Sequence, residues 1–140
     1  MNEEIVDSIT SKMKNWGYDE SKVEEAVDIF TKYADSNGEL IDYIITDAAD
    51  SAPNRYDKHA LDIMCLTQMN VFFIIYNSEV SKYSSSTISS IDTVEIETTS
   101  QRIELLIHAN NNKYGAASYD ENEFDSIRNF GLNVDRIVRN

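Results

Sequence analysis

The sequence contains few of the residues from which catalytic and metal sites are usually built. Its 140 residues include one cysteine, Cys65, and two histidines, His59 and His108. A single cysteine excludes an intrachain disulfide, and the apolar surroundings of Cys65 predict a small buried side chain. Within one extended strand, His59 and Cys65 would lie about 20 Å apart, at roughly 3.3 Å per residue, which is too far for a thiol–imidazole pair. We therefore predict no catalytic residues and no metal site.

Glycine and long apolar runs are also scarce. The four glycines, at positions 17, 38, 115 and 131, form no phosphate-binding or dinucleotide-binding pattern, so we predict no cofactor. The longest apolar run, 71–76, has six residues, whereas a membrane-spanning helix needs about 20. The first residues, MNEEIVDS, lack the positive flank and apolar stretch of a secretory signal. We expect a cytoplasmic protein that does not bind membranes.

Basic residues are outnumbered by acidic ones. The chain has 12 Lys and Arg residues against 25 Asp and Glu residues, a formal net charge of −13 at pH 7. Such a charge repels nucleic-acid phosphates and anionic lipids, and it attracts basic surfaces. We predict no direct nucleic-acid binding and a protein partner with a basic surface. Because many soluble proteins are acidic merely for solubility, the composition also allows a surface without a partner.

The first third of the chain has the apolar spacing of helices. Apolar residues recur every three or four positions before Gly17 and again after Ser21, which has the spacing of a capping box with Glu24. A third segment, ELIDYIITDAAD at 39–50, ends before Pro53 and has similar spacing. The sequence therefore predicts a three-helix bundle over 1–52.

The segment MKNWGY at 13–18, with VEEAVDIF and ELIDYIITDAA after it, resembles a ubiquitin-associated (UBA-like) three-helix domain. The resemblance covers about residues 3–49. Trp16 precedes the loop glycine and Tyr18 follows it, where that family has a Met-Gly-Phe loop, and the second loop is longer than usual. The resemblance implies a small protein-binding bundle with Met13, Gly17 and Tyr18 at the surface that the family uses.

From about residue 60 the pattern becomes that of β-strands. HALDIMCLT at 59–67 and NVFFIIYN at 70–77 are rich in β-branched and aromatic residues. In 71–76 the odd-numbered and the even-numbered residues are all apolar, so both faces of this strand must be covered. We expect one face to pack on the N-terminal helices and the other on the final helix or a curled sheet. The serine-rich EVSKYSSST segment predicts an edge strand or a loop.

The last part of the chain predicts a hairpin, one more strand and a helix. In VEIETTSQRIELLIH at 94–108, apolar and polar residues alternate around a polar break, which is typical of a half-buried β-hairpin. NNNKYGAASY then supplies a turn and a last short strand. In DENEFDSIRNFG at 120–131, Asp120 can cap a helix that ends at Gly131. The side chains predicted to face inward are Phe124, Ile127 and Phe130.

The segments at 88–97, 102–119 and 120–130, about a third of the chain, resemble a bacterial pleckstrin-homology-like (PH-like) domain. The resemblance implies a sheet bent into a partly open barrel, with a helix plugging one end, in a class of scaffolds for partner or ligand binding. The predicted fold is therefore α+β. A three-helix bundle at 1–52 packs on a second part at 57–140, which is an antiparallel, PH-like sheet closed by a C-terminal helix. The two parts could form one compact domain.

The acidic residues of the helical third are the candidate partner-binding residues. If the apolar stripes face inward, these carboxylates must lie on the outside. With two residues added from the UBA-like surface, the candidates are Glu20, Glu24, Glu25, Asp28, Asp35, Glu39, Asp42, Met13 and Tyr18. We predict a non-enzymatic acidic protein-binding module that docks on a basic partner and blocks or scaffolds it.

Two other functions are open at this point. Carboxylates along helices can imitate nucleic-acid phosphates, which are spaced at roughly one charge per 1.7 Å of duplex axis. The protein could then inhibit a nuclease or a defence system, as an anti-CRISPR or anti-restriction protein. The second alternative is a small-ligand-binding or hydrolytic domain, which requires His108 and Tyr119 to converge on a pocket. The sequence leaves the oligomeric state open.

Overall fold

The computed structural model describes residues 2–140 and has an α+β fold, in agreement with the predicted class. No helix in this range is long and apolar enough to span a bilayer. The elements in chain order are α1 (Asn2–Asn15), α2 (Glu20–Asn37), β1 (Asp42–Asp47), α3 (Ala48–Ser51), β2 (Leu61–Leu66), β3 (Asn70–Tyr76), β4 (Ser81–Thr87), β5 (Ile91–Thr98), β6 (Ile103–Ala109), β7 (Asn112–Ser118) and α4 (Phe124–Arg139). Short 3₁₀ turns precede β5 and α4.

The first two helices form where the sequence predicts them. After α1 the chain turns at Gly17, whose φ of +90° is a conformation that glycine adopts without strain. The N-cap of α2 is Asp19, whose Oδ1 accepts a hydrogen bond from Lys22 N at 3.0 Å. The predicted capping box at Ser21 is therefore wrong. Because the helix begins one residue before Ser21, its hydroxyl donates to Asp19 Oδ1 instead.

The predicted third helix is wrong. Residues 42–47 form β1, which pairs antiparallel with β2 in a register that joins Asp42 to Leu66 and Asp47 to Leu61. Only α3 is helical there, and it has four residues. The β-branched residues of this segment suit a strand, and pairing with β2 outweighs the helical spacing. The N-terminal part therefore has two helices instead of a three-helix bundle, and the third segment of the UBA-like resemblance is a strand.

The strands form two antiparallel sheets. The first has the order β1-β2-β3-β4 and the second the order β5-β6-β7. The hairpin predicted from 94–108 is the β5–β6 pair, and the serine-rich segment forms the edge strand β4. Because β1 adds a strand to the first sheet, residues of the predicted helical part belong to the same sheet as β2 and β3. The division of the chain into domains at 52–57 stays a prediction.

The strands β2 and β3 separate two hydrophobic cores. Side chains of one face, among them Ile63 and Phe72, pack against α1 and α2. Side chains of the other face, among them Met64 and Phe73, pack against the second sheet and α4. This confirms the prediction that 71–76 is covered on both faces. Cys65 is fully buried in the first of these cores, as predicted, and burial raises the pKa of its thiol.

The C-terminal helix starts later and extends further than predicted. Asp120 caps the 3₁₀ turn before α4 through a hydrogen bond from Asn122 N at 3.0 Å. The helix then continues through Gly131, so the predicted end at this glycine is wrong. A Cβ at Gly131 would lie 2.8 Å from Leu105 Cδ1 and 2.9 Å from Ile96 Cδ1. The glycine therefore allows a close approach of α4 to the sheet. The three residues predicted to face inward are all buried.

Candidate functional site

A groove of about 690 Å³ follows the open edge of β1, between α1 and the start of α4. One wall is a single face of α1, on which residues from Glu4 to Asn15 recur at three- and four-residue spacing. The other wall comes from Glu123 and Ser126 at the beginning of α4. The residues of β1 from Asp42 to Ile45 form the floor. We call this site the β1 groove.

The backbone of β1 exposes hydrogen-bonding groups to the β1 groove. Ala48 N donates to Ala60 O at 2.8 Å, which continues the ladder between β1 and β2. Because hydrogen-bonded pairs alternate along antiparallel strands, Ile44 bonds to β2 while the N–H and C=O of Tyr43 and Ile45 point outward. Tyr43 N donates to Asp42 Oδ1 at 2.8 Å. Within residues 2–140, the N–H of Ile45 has no hydrogen-bond partner.

The β1 groove is acidic. Within residues 2–140, four carboxylates and one base, Lys12, line it. Lys12 Nζ lies 2.6 Å from Glu123 Oε2. Among the described residues, Glu4, Asp7 and Asp42 have no cationic partner, although Asp42 Oδ2 accepts a hydrogen bond from the Asn133 side chain at 2.8 Å. The site therefore combines free backbone groups with uncompensated negative charge.

The predicted acidic residues lie in two different places. Six of them are exposed on α2 or just after it: Glu20, Glu24, Glu25, Asp28, Asp35 and Glu39. Three of these, Glu20, Glu24 and Asp28, line a shallow groove beside Lys14 of α1. Lys22 Nζ lies 3.5 Å from Glu25 Oε2, an exposed pair of little energetic weight. Asp42 alone belongs to the β1 groove.

The two residues taken from the UBA-like surface are not both accessible. Met13 is fully buried, because it shares the stripe of α1 that packs on β2 and β3. Its predicted role in partner binding is therefore wrong. Tyr18 is half-buried, and its hydroxyl donates to His59 O at 2.7 Å, which ties the α1–α2 loop to the segment before β2.

A second cluster, which the sequence analysis missed, surrounds His59. His59 Nδ1 lies 2.5 Å from Asp47 Oδ2, and the Trp16 ring stacks on the imidazole with centroids 4.9 Å apart. Asp47 Oδ1 accepts hydrogen bonds at 3.0 Å from the backbone N–H groups of Ala49 and Ala60. The cluster holds three separate chain segments together. No local sequence pattern indicates it, since its members lie up to 43 positions apart.

The predicted pocket near His108 and Tyr119 does not form. In the β6–β7 register His108 lies opposite Lys113, at one end, while Ser118 lies opposite Ile103, at the other. Tyr119 follows Ser118, so at roughly 3.4 Å per residue it lies about 17 Å or more from His108 along the strands. Nε2 of His108 lies 2.9 Å from the exposed Glu95 Oε1.

A buried carboxyl group lies between the two sheets. Asp62 of β2 is 3 % exposed, and its Oδ1 has no hydrogen-bond partner among the described residues. Burial raises the pKa of Asp62 to about 8; the negative charge of Asp47 adds to this shift and Lys82 opposes it. Asp62 lines a cavity of about 210 Å³. Burial thus favours the protonated form of this carboxyl group.

Comparisons of the chain with protein-family models, with curated proteins and with solved structures find no match. The UBA-like and PH-like resemblances therefore stay predictions. Three features of the described residues are candidates for a functional role: the open edge of β1, the charge of the β1 groove and the exposed carboxylates of α2.

Proposed function

We propose that the protein is a non-enzymatic binding module, which docks onto a basic segment of a partner protein and blocks or scaffolds it. The observation that carries this proposal is the β1 groove. There, the backbone N–H of Ile45, which has no partner in the part of the chain that the structure describes, lies in the same groove as the carboxylates of Glu4, Asp7 and Asp42. Backbone groups and uncompensated charge together supply both affinity and selectivity for a basic polypeptide.

The exposed carboxylates of α2 act at longer range. Glu20, Glu24 and Asp28 extend the negative field beyond the β1 groove, and the whole chain carries a net charge of −13. Complementary charge raises the association rate more than it raises the affinity, and salt removes this advantage. The α2 carboxylates therefore speed encounter with the partner, while the β1 groove holds it.

Binding of labelled model peptides tests the proposal. A basic Lys/Val peptide and an acidic Glu/Val peptide of equal length are titrated by fluorescence anisotropy at about 0.01 M and about 0.15 M salt, where the Debye length falls from about 30 Å to about 8 Å. We expect binding of the basic peptide alone, weakened by salt. Neutralising Glu24, Glu25 and Asp28 together should slow association. Equal binding of both peptides, or binding that is indifferent to salt, would contradict the proposal.

Mimicry of nucleic acid is the second candidate function, and a displacement assay with a nuclease and its DNA or RNA tests it. An inhibitor of that kind would displace DNA or RNA from a nuclease through its α2 carboxylates. Displacement that survives neutralisation of Glu4 and Asp7, but is lost when Glu24, Glu25 and Asp28 are neutralised, would favour mimicry over peptide docking.

We also infer a PH-like arrangement for the part of the chain from β1 to α4. The order of four and then three antiparallel strands, followed by a helix, supports it. So does the packing of α4 on β5, β6 and β1. Because β7 and α4 also pack near β1, the part of its edge that is available for binding is the part that lines the β1 groove, residues 42–45.

A further inference from the structure

We propose, building on the function proposed above, that the β1 groove takes an extended basic peptide by strand addition. The peptide backbone pairs with the outward N–H and C=O groups of β1, and its Lys or Arg side chains meet the carboxylates of the groove. The bound peptide becomes a fifth strand of the first sheet, next to β1.

The backbone of β1 supplies the pairing groups. The N–H and C=O of Ile45 point away from β2, as do those of Tyr43, because the intervening Ile44 bonds to β2. Unpaired groups on a sheet edge are a template for another strand, which would lie about 4.8 Å away. Recognition of a peptide in this way draws its affinity from main-chain hydrogen bonds.

The length of the groove matches a short strand. Along α1, the eleven-residue step from Glu4 to Asn15 corresponds to about 16 Å at 1.5 Å per residue. A strand of about five residues has the same length at roughly 3.3 Å per residue. The groove therefore takes one short extended segment, and the flanking parts of the partner remain outside it.

The charges of the groove select the peptide. Successive side chains of an added strand project to opposite faces, so one set faces Glu4 and Asp7 of α1 and the other faces Asp42 and the start of α4. Lysine or arginine in the first set meets carboxylates that have no cationic partner among the described residues. A second copy of this chain is disfavoured as the occupant, since it would bring a second set of the same carboxylates to the edge.

Before the peptide binds, two contacts occupy hydrogen-bonding and charged groups of the β1 groove. Asp42 Oδ1 accepts a hydrogen bond from the N–H of Tyr43, and Lys12 pairs with Glu123 across the groove. Charged groups on an edge strand limit unwanted pairing between chains. On binding, a peptide carbonyl accepts a hydrogen bond from the N–H of Tyr43 in place of Asp42 Oδ1, while Lys12 stays paired with Glu123.

Amide hydrogen exchange of the intact protein, followed by NMR, tests this mode of binding. The probe is the capped peptide Lys-Val-Lys-Val-Lys, added until binding is saturated. We expect exchange at the Ile45 N–H to slow by at least about tenfold, because this amide gains a hydrogen bond. The matched control is the same peptide with two N-methylated backbone amides, which keeps its charge and loses two donors. It should bind at least about tenfold more weakly.

The outcomes separate the two proposals. If binding is salt-sensitive but exchange at the Ile45 amide does not slow, and the N-methylated peptide binds with equal affinity, strand addition is overturned. The acidic docking function would then still stand. Absence of any charge-selective peptide binding would overturn both. Protection of Ile45 that rises with protein concentration in the absence of peptide would identify a second copy as the occupant and overturn the basic peptide. The double variant Glu4→Gln, Asp7→Asn should weaken binding of the Lys/Val peptide. The double variant Glu24→Gln, Glu25→Gln should leave the protection of the Ile45 amide at saturation unchanged.

Discussion

Lys12 of α1 and Glu123 at the start of α4 join the two walls of the β1 groove. Nζ of Lys12 lies 2.6 Å from Oε2 of Glu123, and the two side chains are 26 % and 25 % exposed. Glu123 Oε1 also accepts a hydrogen bond from the Ser118 hydroxyl at 2.6 Å, which fixes the carboxylate in place. Because Lys12 is the only base among the described residues that line the groove, this pair also determines how negative the groove is.

Neutralising Lys12 and neutralising Glu123 should change peptide binding in opposite directions. Lys12→Gln leaves the groove one charge more negative, and Glu123→Gln leaves it one charge less negative. One charge about 6 Å away in water contributes about 0.7 kcal/mol, so the first variant should bind the Lys/Val peptide about threefold more tightly at low salt and the second about threefold more weakly. Anisotropy titrations measure both. A shift of both variants in the same direction would show that the pair acts through geometry.

The buried Asp62 predicts a pH dependence of stability. The folded state keeps the Asp62 proton up to about pH 8, whereas the unfolded chain releases it above the ordinary value of 3.8. Between these values the folded state binds more protons, so this group lowers the free energy of unfolding as the pH rises, by up to about 1.4 kcal/mol per pH unit. Asp62→Asn removes this slope. Urea unfolding from about pH 5 to about pH 8 should show wild type losing stability relative to the variant; parallel curves would refute the prediction.

Gly131 predicts a packing effect in α4. In Gly131→Ala the new methyl group would lie 2.8 Å from Leu105 Cδ1, a fully buried side chain with little room to move. Overpacking costs about 1 to 3 kcal/mol, and the better helix propensity of alanine returns up to about 1 kcal/mol. We expect a net loss of about 1 kcal/mol in chemical denaturation. Asn129→Ala, at an exposed position of the same helix, is the control and should be neutral or slightly stabilising. A more stable Gly131→Ala protein would contradict this account.

The parts of the fold that were predictable depend on neighbouring residues. Apolar residues of both parities in 71–76 require cover on two faces, and β3 has a core on each side. Alternation in 94–108 likewise predicts the β5–β6 hairpin. The segment 42–47 was predicted wrongly, because its apolar spacing suits either a helix or a strand. The choice depends on β2, nearly 20 residues further along the chain.

The candidate site was predictable only in part. The excess of carboxylates in the first third is evident from the sequence, and Asp42 was among the predicted residues. The sequence offered no way to see that Glu4 and Asp7 share a groove with Asp42, because their proximity depends on how α1 crosses the edge of β1. The burial of Met13 and the pairing of His59 with Asp47 also depend on contacts between segments that are distant in the sequence.

By itself, the sequence determined the net charge, the lack of catalytic and cofactor motifs, the two N-terminal helices and the alternation that gives each strand its buried faces. These properties depend on composition or on residues a few positions apart. Only the tertiary structure decided that β1 is a strand with an open edge and that an acidic groove follows this edge. It also decided that Asp62 is buried and that, among the described residues, its Oδ1 has no hydrogen-bond partner. A sheet edge and its walls come from segments far apart in the chain, and their positions follow from the packing of both cores together.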